Sequence, residues 1–334
     1  MAGGARVMAA VKANAYGHGL IPCAQALGTC VDGLAVAICE EAIELREAGI
    51  SLPLLVLQGP FDGSDVAACQ QHDLMPVIHN WEQLSLLEAQ RAGPIGTIWL
   101  KVDTGMHRLG FPPQDVDGVL ERLGSIETRG IVIMSHLAAG EAPESSITKD
   151  QLANWRKLTA AHVLETSLLN SPGTISGLAH PGDWIRPGIM LYGAPPKPVT
   201  TGEALKAVMG FYSSVMAVRD IPAQERVGYG GHWQADKPSR IATIPVGYGD
   251  GYPRTAKNGT PVLMGETLCP LAGRVSMDMI TVDVTHLPSC EVGMPVELWG
   301  PRLSVNSVAE CADTIGYELL TRITPRVTRR VIGP

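Results

Sequence analysis

The sequence predicts an α/β protein: a closed (β/α)8 barrel followed by a mostly antiparallel β domain. Three observations carry that prediction. Eight short apolar runs recur through the first two thirds of the chain, and amphipathic stretches separate them. Past residue 205 the pattern changes to β-rich segments divided by glycine and proline turns.

The apolar runs fall at 7–11, 33–37, 54–57, 75–78, 97–102, 130–134, 166–169 and 183–186, and helical patterns such as 40–48, 81–91 and 148–164 lie between them. Runs that are apolar throughout read as parallel strands buried on both faces. Eight such units favour a closed barrel over an open doubly wound sheet. The later segments FYSSVMAV, SRIATIPV, TPVLM, MITVDV and MPVELWG are the strands of the second domain, and only 305–320 reads as helical there. The division is placed at 1–205 and 206–334, with TGEALKA (201–207) as the linker.

Composition excludes several function classes. Of 334 residues, 45% are hydrophobic and 18% charged, the balance of an ordinary globular chain. A net charge of -7 without a basic stripe argues against nucleic-acid binding. No apolar run approaches the length of a membrane span. Arg6 and Lys12 interrupt the N-terminus before a signal-type stretch can form, so a cytoplasmic location is expected. Seven cysteines at irregular spacing, with no C-x-x-C pair, suit neither a disulfide framework nor a zinc site. They are expected reduced and buried, and no metal is expected.

Barrel enzymes place their chemistry at the carboxyl ends of the strands. Lys12 follows the first strand, Lys101 ends the fifth, His136 follows the sixth, Asn170 and Ser171 the seventh, and Arg186 with Gly188 the eighth. The loops NSPG and RPGI offer a hydroxyl, free N–H groups and glycines, which suit a phosphate or two ordinary βα turns. Lys12 reads either as an amine made nucleophilic by burial or as a lysine released to solvent. Tyr16 lies within reach of a phosphate from the same loop, and His18 reads as structural. Arg108 suits a planar anion or a salt bridge to Asp103, and Lys101 suits a site or a neighbouring acid. Tyr229 and Tyr248 lie in glycine-rich turns, where a phenol acts as a base only beside strong positive charge.

Taken together, VKANAYGHG resembles the pyridoxal 5′-phosphate (PLP) attachment signature of alanine racemases. EEAIELREAGI, LKVDTGMHRLGF, MSHLA, NSPG, WIRPGIMLYG, VGYGG, PVGYGDGYPR and GRVSMDMITVDVT follow in the family's order. The resemblance implies a PLP-binding barrel (1–205), a β domain (206–334) and a homodimer with shared active sites, acting on alanine and supplying D-alanine for peptidoglycan. It implies that Lys12 carries the cofactor as a Schiff base and is one of two acid/base groups, the other being Tyr229 from the partner subunit. Tyr16, Ser171, Gly188 and Ile189, with Asn170 adjoining, match the phosphate positions, and Leu57 an apolar wall. Arg186 matches the arginine facing the pyridine nitrogen, supported by His136. Arg108 matches the residue at the phenolic oxygen and substrate carboxylate, oriented by Lys101, a lysine often carbamylated. Tyr248, Met277 and Asp278 match the substrate end.

Three departures carry expectations of their own. Members have a further strand and helix ahead of the lysine strand, so a barrel short of part of its first turn and a second domain short of a strand, with open edges, are expected. Pro325 stands near the tyrosine that narrows the substrate entrance in some members, and Ser167 where others have a histidine beside the catalytic tyrosine. The competing functions are an alanine/serine racemase of broader specificity, a PLP-dependent decarboxylase, and a non-catalytic PLP-binding protein.

Overall fold

The computed structural model describes residues 3–89, 93–178, 182–195 and 205–333. These form two compact units, one of residues 3–15 and 19–191, the other of 16–18, 192–195 and 205–333. In the first unit β1 (Arg6–Ala10), β2 (Gly33–Val36), β3 (Leu54–Val56), β4 (Leu74–Ile78), β5 (Ile98–Lys101), β6 (Ile131–Met134), β7 (Glu165–Asn170) and β8 (Trp184–Arg186) close into a parallel barrel in sequential order. The sequence reading places all eight strands to within a residue or two.

The ring of strands is complete, which corrects the expectation of a barrel short of its first turn. β1 pairs with β2 (Met8 opposite Gly33) and with β8 (Arg6 opposite Trp184). Side chains lock the same seam. The Arg6 guanidinium lies 4.1 Å above the Trp184 ring and pairs with Glu165, which also accepts the Trp184 indole N–H at 3.0 Å. Arg6 and Glu165 are half-exposed, so the ion pair itself contributes little; the strand pairing and the contact with the buried Trp184 ring do more. Inside the barrel Met8, Ala35, Leu55, Val77, Trp99, Val132, Met134 and Trp184 form one core cluster.

Some of the helices start where short polar side chains cap them. Asp62 accepts from the Ser64 and Asp65 N–H groups ahead of Gly63–Gln71, and Ser145 from Thr148 N–H ahead of Ser146–Ala161. The helix expected over 81–91 runs Trp81–Ala89, its predicted end lying outside the described residues, as do residues 201–204 of the expected linker.

The second unit holds β9 (Phe211–Ser214), β10 (Ala217–Ile221), β11 (Arg226–Val227), β12 (Trp233–Gln234), β13 (Ser239–Ile244), β14 (Pro261–Met264), β15 (Thr267–Pro270), β16 (Ile280–Asp283) and β17 (Pro295–Trp299). They make antiparallel sheets in the orders β10-β13-β16, β11-β12 and β15-β14-β17-β9. Helical structure expected over 305–320 is two short helices, Val305–Cys311 and Gly316–Thr321. Asp313, in the left-handed region at φ 53, breaks the run. All seven cysteines are free, but Cys30 is exposed and Cys23 and Cys311 are only half-buried, contrary to the expectation that all are buried. No described helix is long and apolar enough to cross a membrane.

Trp99 is wholly buried in a cluster with side chains from six other strands. Trp99→Ala is expected to cost about 3–5 kcal/mol of stability, read as a lower urea midpoint at unchanged slope.

Candidate active site

Lys12 leaves β1 into a left-handed turn. Ala13, Asn14, Ala15 and Tyr16 have φ between 52 and 55°, a conformation that costs non-glycine residues roughly 1–2 kcal/mol each. The turn persists because its polar groups are matched. Ala15 N–H donates to Val11 O (2.7 Å), Ala13 N–H to Glu41 Oε1 (2.7 Å), and Leu20 N–H to Asn14 Oδ1 (2.7 Å). Burial, then the charge of Arg108, holds the Lys12 ammonium below its ordinary pKa against an opposing pull from Glu41.

Lys101 ends β5 buried, with no ion pair or hydrogen bond to its ammonium among the described residues. Burial and the charges of Arg186, Arg108 and Lys12, in that order and against Asp103, bring its pKa down to about 8. The acid foreseen as a partner for Arg108 is spent elsewhere. Asp103 Oδ1 accepts the N–H groups of Gly105, Met106 and His107, and Oδ2 faces His107 Nδ1 at 3.0 Å. Arg108 is exposed on the loop this carboxylate shapes.

Arg186 is 6% exposed and meets only neutral acceptors: Ser167 Oγ, Ser135 O and Leu168 O. Burial brings even this guanidinium down to about 10. His136 completes the group. Arg186 Nη2 stands 3.5 Å from its Nδ1 and Asn170 Nδ2 3.3 Å from its Nε2. Burial first, then Arg186, Lys101, Arg108 and Lys12, push it well below the ordinary histidine range, so the ring is neutral. Ser167 on β7 donates to Trp184 O and accepts from Arg186.

The ends of β7 and β8 meet in a small cradle. Asn170 Oδ1 accepts Gly173 N–H (3.0 Å), capping the turn Ser171–Ile175. Buried Ser171 Oγ accepts from the N–H groups of Gly188 (2.7 Å) and Met190 (3.3 Å). Ile189 opens a 3-10 segment whose first N–H groups have no acceptor within it. Leu57, just past β3, packs on the barrel core.

The remaining predicted residues belong to the second unit. Tyr16 stacks on Tyr192 (centroids 4.8 Å apart), and burial raises its pKa to about 12, so it is a phenol that donates. Tyr229 follows Gly228 (φ 74) in a turn and is 72% exposed. Tyr248 and Met277 are partly exposed on adjoining loops, where Tyr248 N–H donates to Ser276 O and Gly249 N–H to Met277 O. Asp278 is held by Arg326, whose guanidinium also pairs with Asp250 (2.7 and 3.0 Å). Pro325 lies in the exposed turn that presents Arg326.

Sequence reasoning missed Arg326, Glu41 and a brace beneath His136. Buried Gln151 donates to His136 O and accepts from Ala138 N–H. A buried glutamine on an otherwise amphipathic helix was the available signal; Arg326 and Glu41 gave none beyond their charge.

Lys12, Lys101, Arg108 and Arg186 thus concentrate positive charge at one rim of the barrel. The two acids beside them, Glu41 and Asp103, are engaged by backbone N–H groups. Buried charge of one sign requires a counter-charge. The residues therefore fit a polyanion with a phosphate at the Ser171–Gly188 cradle and a group reactive toward an amine at Lys12.

Two family models match the chain: the alanine racemase N-terminal domain over residues 1–196 and the alanine racemase C-terminal domain over 208–331. A catabolic alanine racemase of Pseudomonas putida is 44% identical over 333 residues, 99% of this chain and 93% of that protein. The solved structure of the biosynthetic alanine racemase of Pseudomonas aeruginosa matches at TM-score 0.92 and 44% identity, covering 98% of this chain and 92% of that one. An alanine racemase of Bartonella henselae, solved with covalently bound pyridoxal phosphate, matches at TM-score 0.89 and 32% identity over 99% and 93% of the two chains. The chain belongs to the alanine racemase family of isomerases.

Proposed function

We propose that this chain interconverts L- and D-alanine with PLP held covalently on Lys12, using Lys12 and Tyr229 of the partner subunit as two acid/base groups. The observation that carries this reading is the excess of positive charge at the rim around a lysine of depressed pKa. When bound, PLP supplies an electron sink for the pair left on the substrate α-carbon. Lys12 Nζ, once neutral, takes or returns a proton on one face. The Tyr229 hydroxyl of the partner subunit does so on the other, which suits racemisation better than a single base. Ser171 Oγ, fixed by the Gly188 N–H, would hold phosphate with the Ile189 N–H, the Tyr16 phenol and the Asn170-capped turn, and Leu57 would wall the ring. Arg186 keeps its proton and donates to the ring nitrogen, with His136 neutral beside it. Arg108 receives phenolate and carboxylate. Tyr248, Met277 and Asp278, the last fixed by Arg326, border the substrate.

The chain is read as a PLP-binding barrel domain (1–205) and a β domain (206–334) in a cytoplasmic homodimer. D-alanine supply for peptidoglycan follows the biosynthetic Pseudomonas aeruginosa relative; the catabolic Pseudomonas putida relative favours alanine breakdown as a second role. Pro325, in place of a bulky aromatic, favours some turnover of serine. Comparing turnover of the two L-amino acids measures it.

Borohydride reduction of the purified protein should bleach its visible band and leave the cofactor on the Lys12 peptide. Absence of the adduct would remove the cofactor assignment. Tyr229→Phe should lower racemisation by about 10²–10⁴-fold, while one enantiomer still exchanges its α-proton with solvent. Unchanged racemisation in both directions would refute the two-base assignment. Mixing Lys12→Ala and Tyr229→Phe protomers should restore up to about a quarter of wild-type activity, since half of randomly paired dimers then hold one intact site.

Lys101, brought down to about 8, presents more free amine at neutral pH than an ordinary lysine does. At fixed dissolved CO2 its carbamate should increase as pH rises toward and through that value. Alkylative trapping and mass spectrometry read this directly, and Lys101→Ala is the blank.

A further inference from the structure

We propose that Glu41 is the positioning residue for Lys12: its carboxylate fixes the left-handed turn that aims the amine and sets the charge the amine feels. The inference rests on the reading of Lys12 as cofactor-bearing lysine and base.

Glu41 lies in the first turn of the helix Cys39–Glu47, half-buried. Its Oε1 accepts Ala13 N–H at 2.7 Å and its Oε2 accepts Ala37 N–H at 2.8 Å. Ala13 follows Lys12 directly, and Ala37 follows β2. One side chain therefore ties together the loops at the ends of two neighbouring strands. A left-handed turn opens, like a helix, with an N–H that has no acceptor inside the turn. Ala13 (φ 53, ψ 53) presents that N–H, and Glu41 satisfies it with a charged acceptor, roughly twice as strong as a neutral one.

The charge matters as much as the geometry. Burial and Arg108 disfavour the Lys12 ammonium, and Glu41 acts in the opposite direction. A simpler role is available: a glutamate at the third helical position often caps its own helix by reaching back to the chain before it. Capping alone accounts for the bond to Ala37 but not for the bond to Ala13 across to β1.

Glu41→Gln preserves shape but replaces one acceptor oxygen with an NH2 and removes the charge. In the holoenzyme it is expected to lower kcat by about tenfold or more in both directions, with the KM for alanine within about twofold. Loss of the negative charge disfavours the ammonium further. The limb of the kcat–pH profile that reports the free Lys12 amine should therefore move to lower pH. Glu41→Asp keeps the charge but is too short for both bonds, so it should lower kcat without moving the limb. Glu40→Gln removes an equal charge from the same helical turn, at an exposed side chain with no bond to the Lys12 loop; it should behave as wild type. Competitive acylation of Lys12 in the protein freed of cofactor gives the same pH shift without reference to turnover.

If Glu41→Gln melts at a lower temperature yet keeps the wild-type kcat and pH limb, Glu41 is a helix cap and the proposal falls. If Glu41→Gln does not fold, Glu41→Asp decides: wild-type kcat overturns the proposal and a lowered kcat with an unmoved limb supports it. Failure of the underlying reading shows separately, as a wild-type protein in which borohydride leaves no cofactor on Lys12.

Discussion

Positive charge held out of water, in excess of the protein anions near it, governs the barrel's rim. Lys101 and Arg186 are almost fully buried, and neither forms an ion pair among the described residues. An isolated buried cation is expensive, and the usual remedies are a shifted pKa or a partner. The first remedy is visible in both lysines, which are displaced downward with burial as the largest cause. Arginine has little room to use it. A ligand rich in negative charge would relieve the whole group together, so the apoprotein's electrostatic cost and the holoenzyme's affinity are two sides of one arrangement.

That arrangement depends on barrel closure. Lys12, Lys101, His136, Asn170 and Arg186 come from or just follow five different strands, separated by tens of residues. They share a rim only because β1 pairs with β8 and the parallel register carries each strand end to one side. Polar braces then set orientation. Gln151 holds the His136 backbone, Asp103 shapes the Arg108 loop, and Glu41 holds the Lys12 turn. None of the three is assigned to the substrate, yet each fixes a group assigned to the cofactor or the substrate.

Much of this was legible from residue order because burial writes a local pattern. A strand covered on both faces must be apolar throughout, and so all eight barrel strands could be read directly. Strand ends were equally readable, which is why Lys12, Lys101 and Arg186 could be singled out. What depends on a partner distant in sequence was not. Of the two readings of Arg108, the salt bridge to Asp103 is not formed: Asp103 collects three N–H groups from its own loop. The single helix foreseen over 305–320 breaks because Asp313 enters the left-handed region, which hydrophobic periodicity does not encode. The left-handed turn after Lys12 is less visible still, since alanine, asparagine and tyrosine give little warning of positive φ at four consecutive non-glycine residues.

The neutral surroundings of Arg186 have a chemical consequence. A buried arginine paired with a carboxylate could pass that partner's negative charge on to whatever lies opposite. Here the guanidinium donates to a serine hydroxyl and two backbone carbonyls, and its neighbouring histidine is neutral. Burial lowers the guanidinium to about 10, still far above any pyridine-like nitrogen in water. The proton therefore stays on the arginine, and a ring nitrogen placed against it accepts a hydrogen bond without being protonated. In the function proposed here, Arg186 would hold the cofactor's ring nitrogen by a hydrogen bond and would temper the electron sink that the bound cofactor supplies. Ser167 fits this logic, because its hydroxyl accepts from Arg186 without ever carrying a charge of its own.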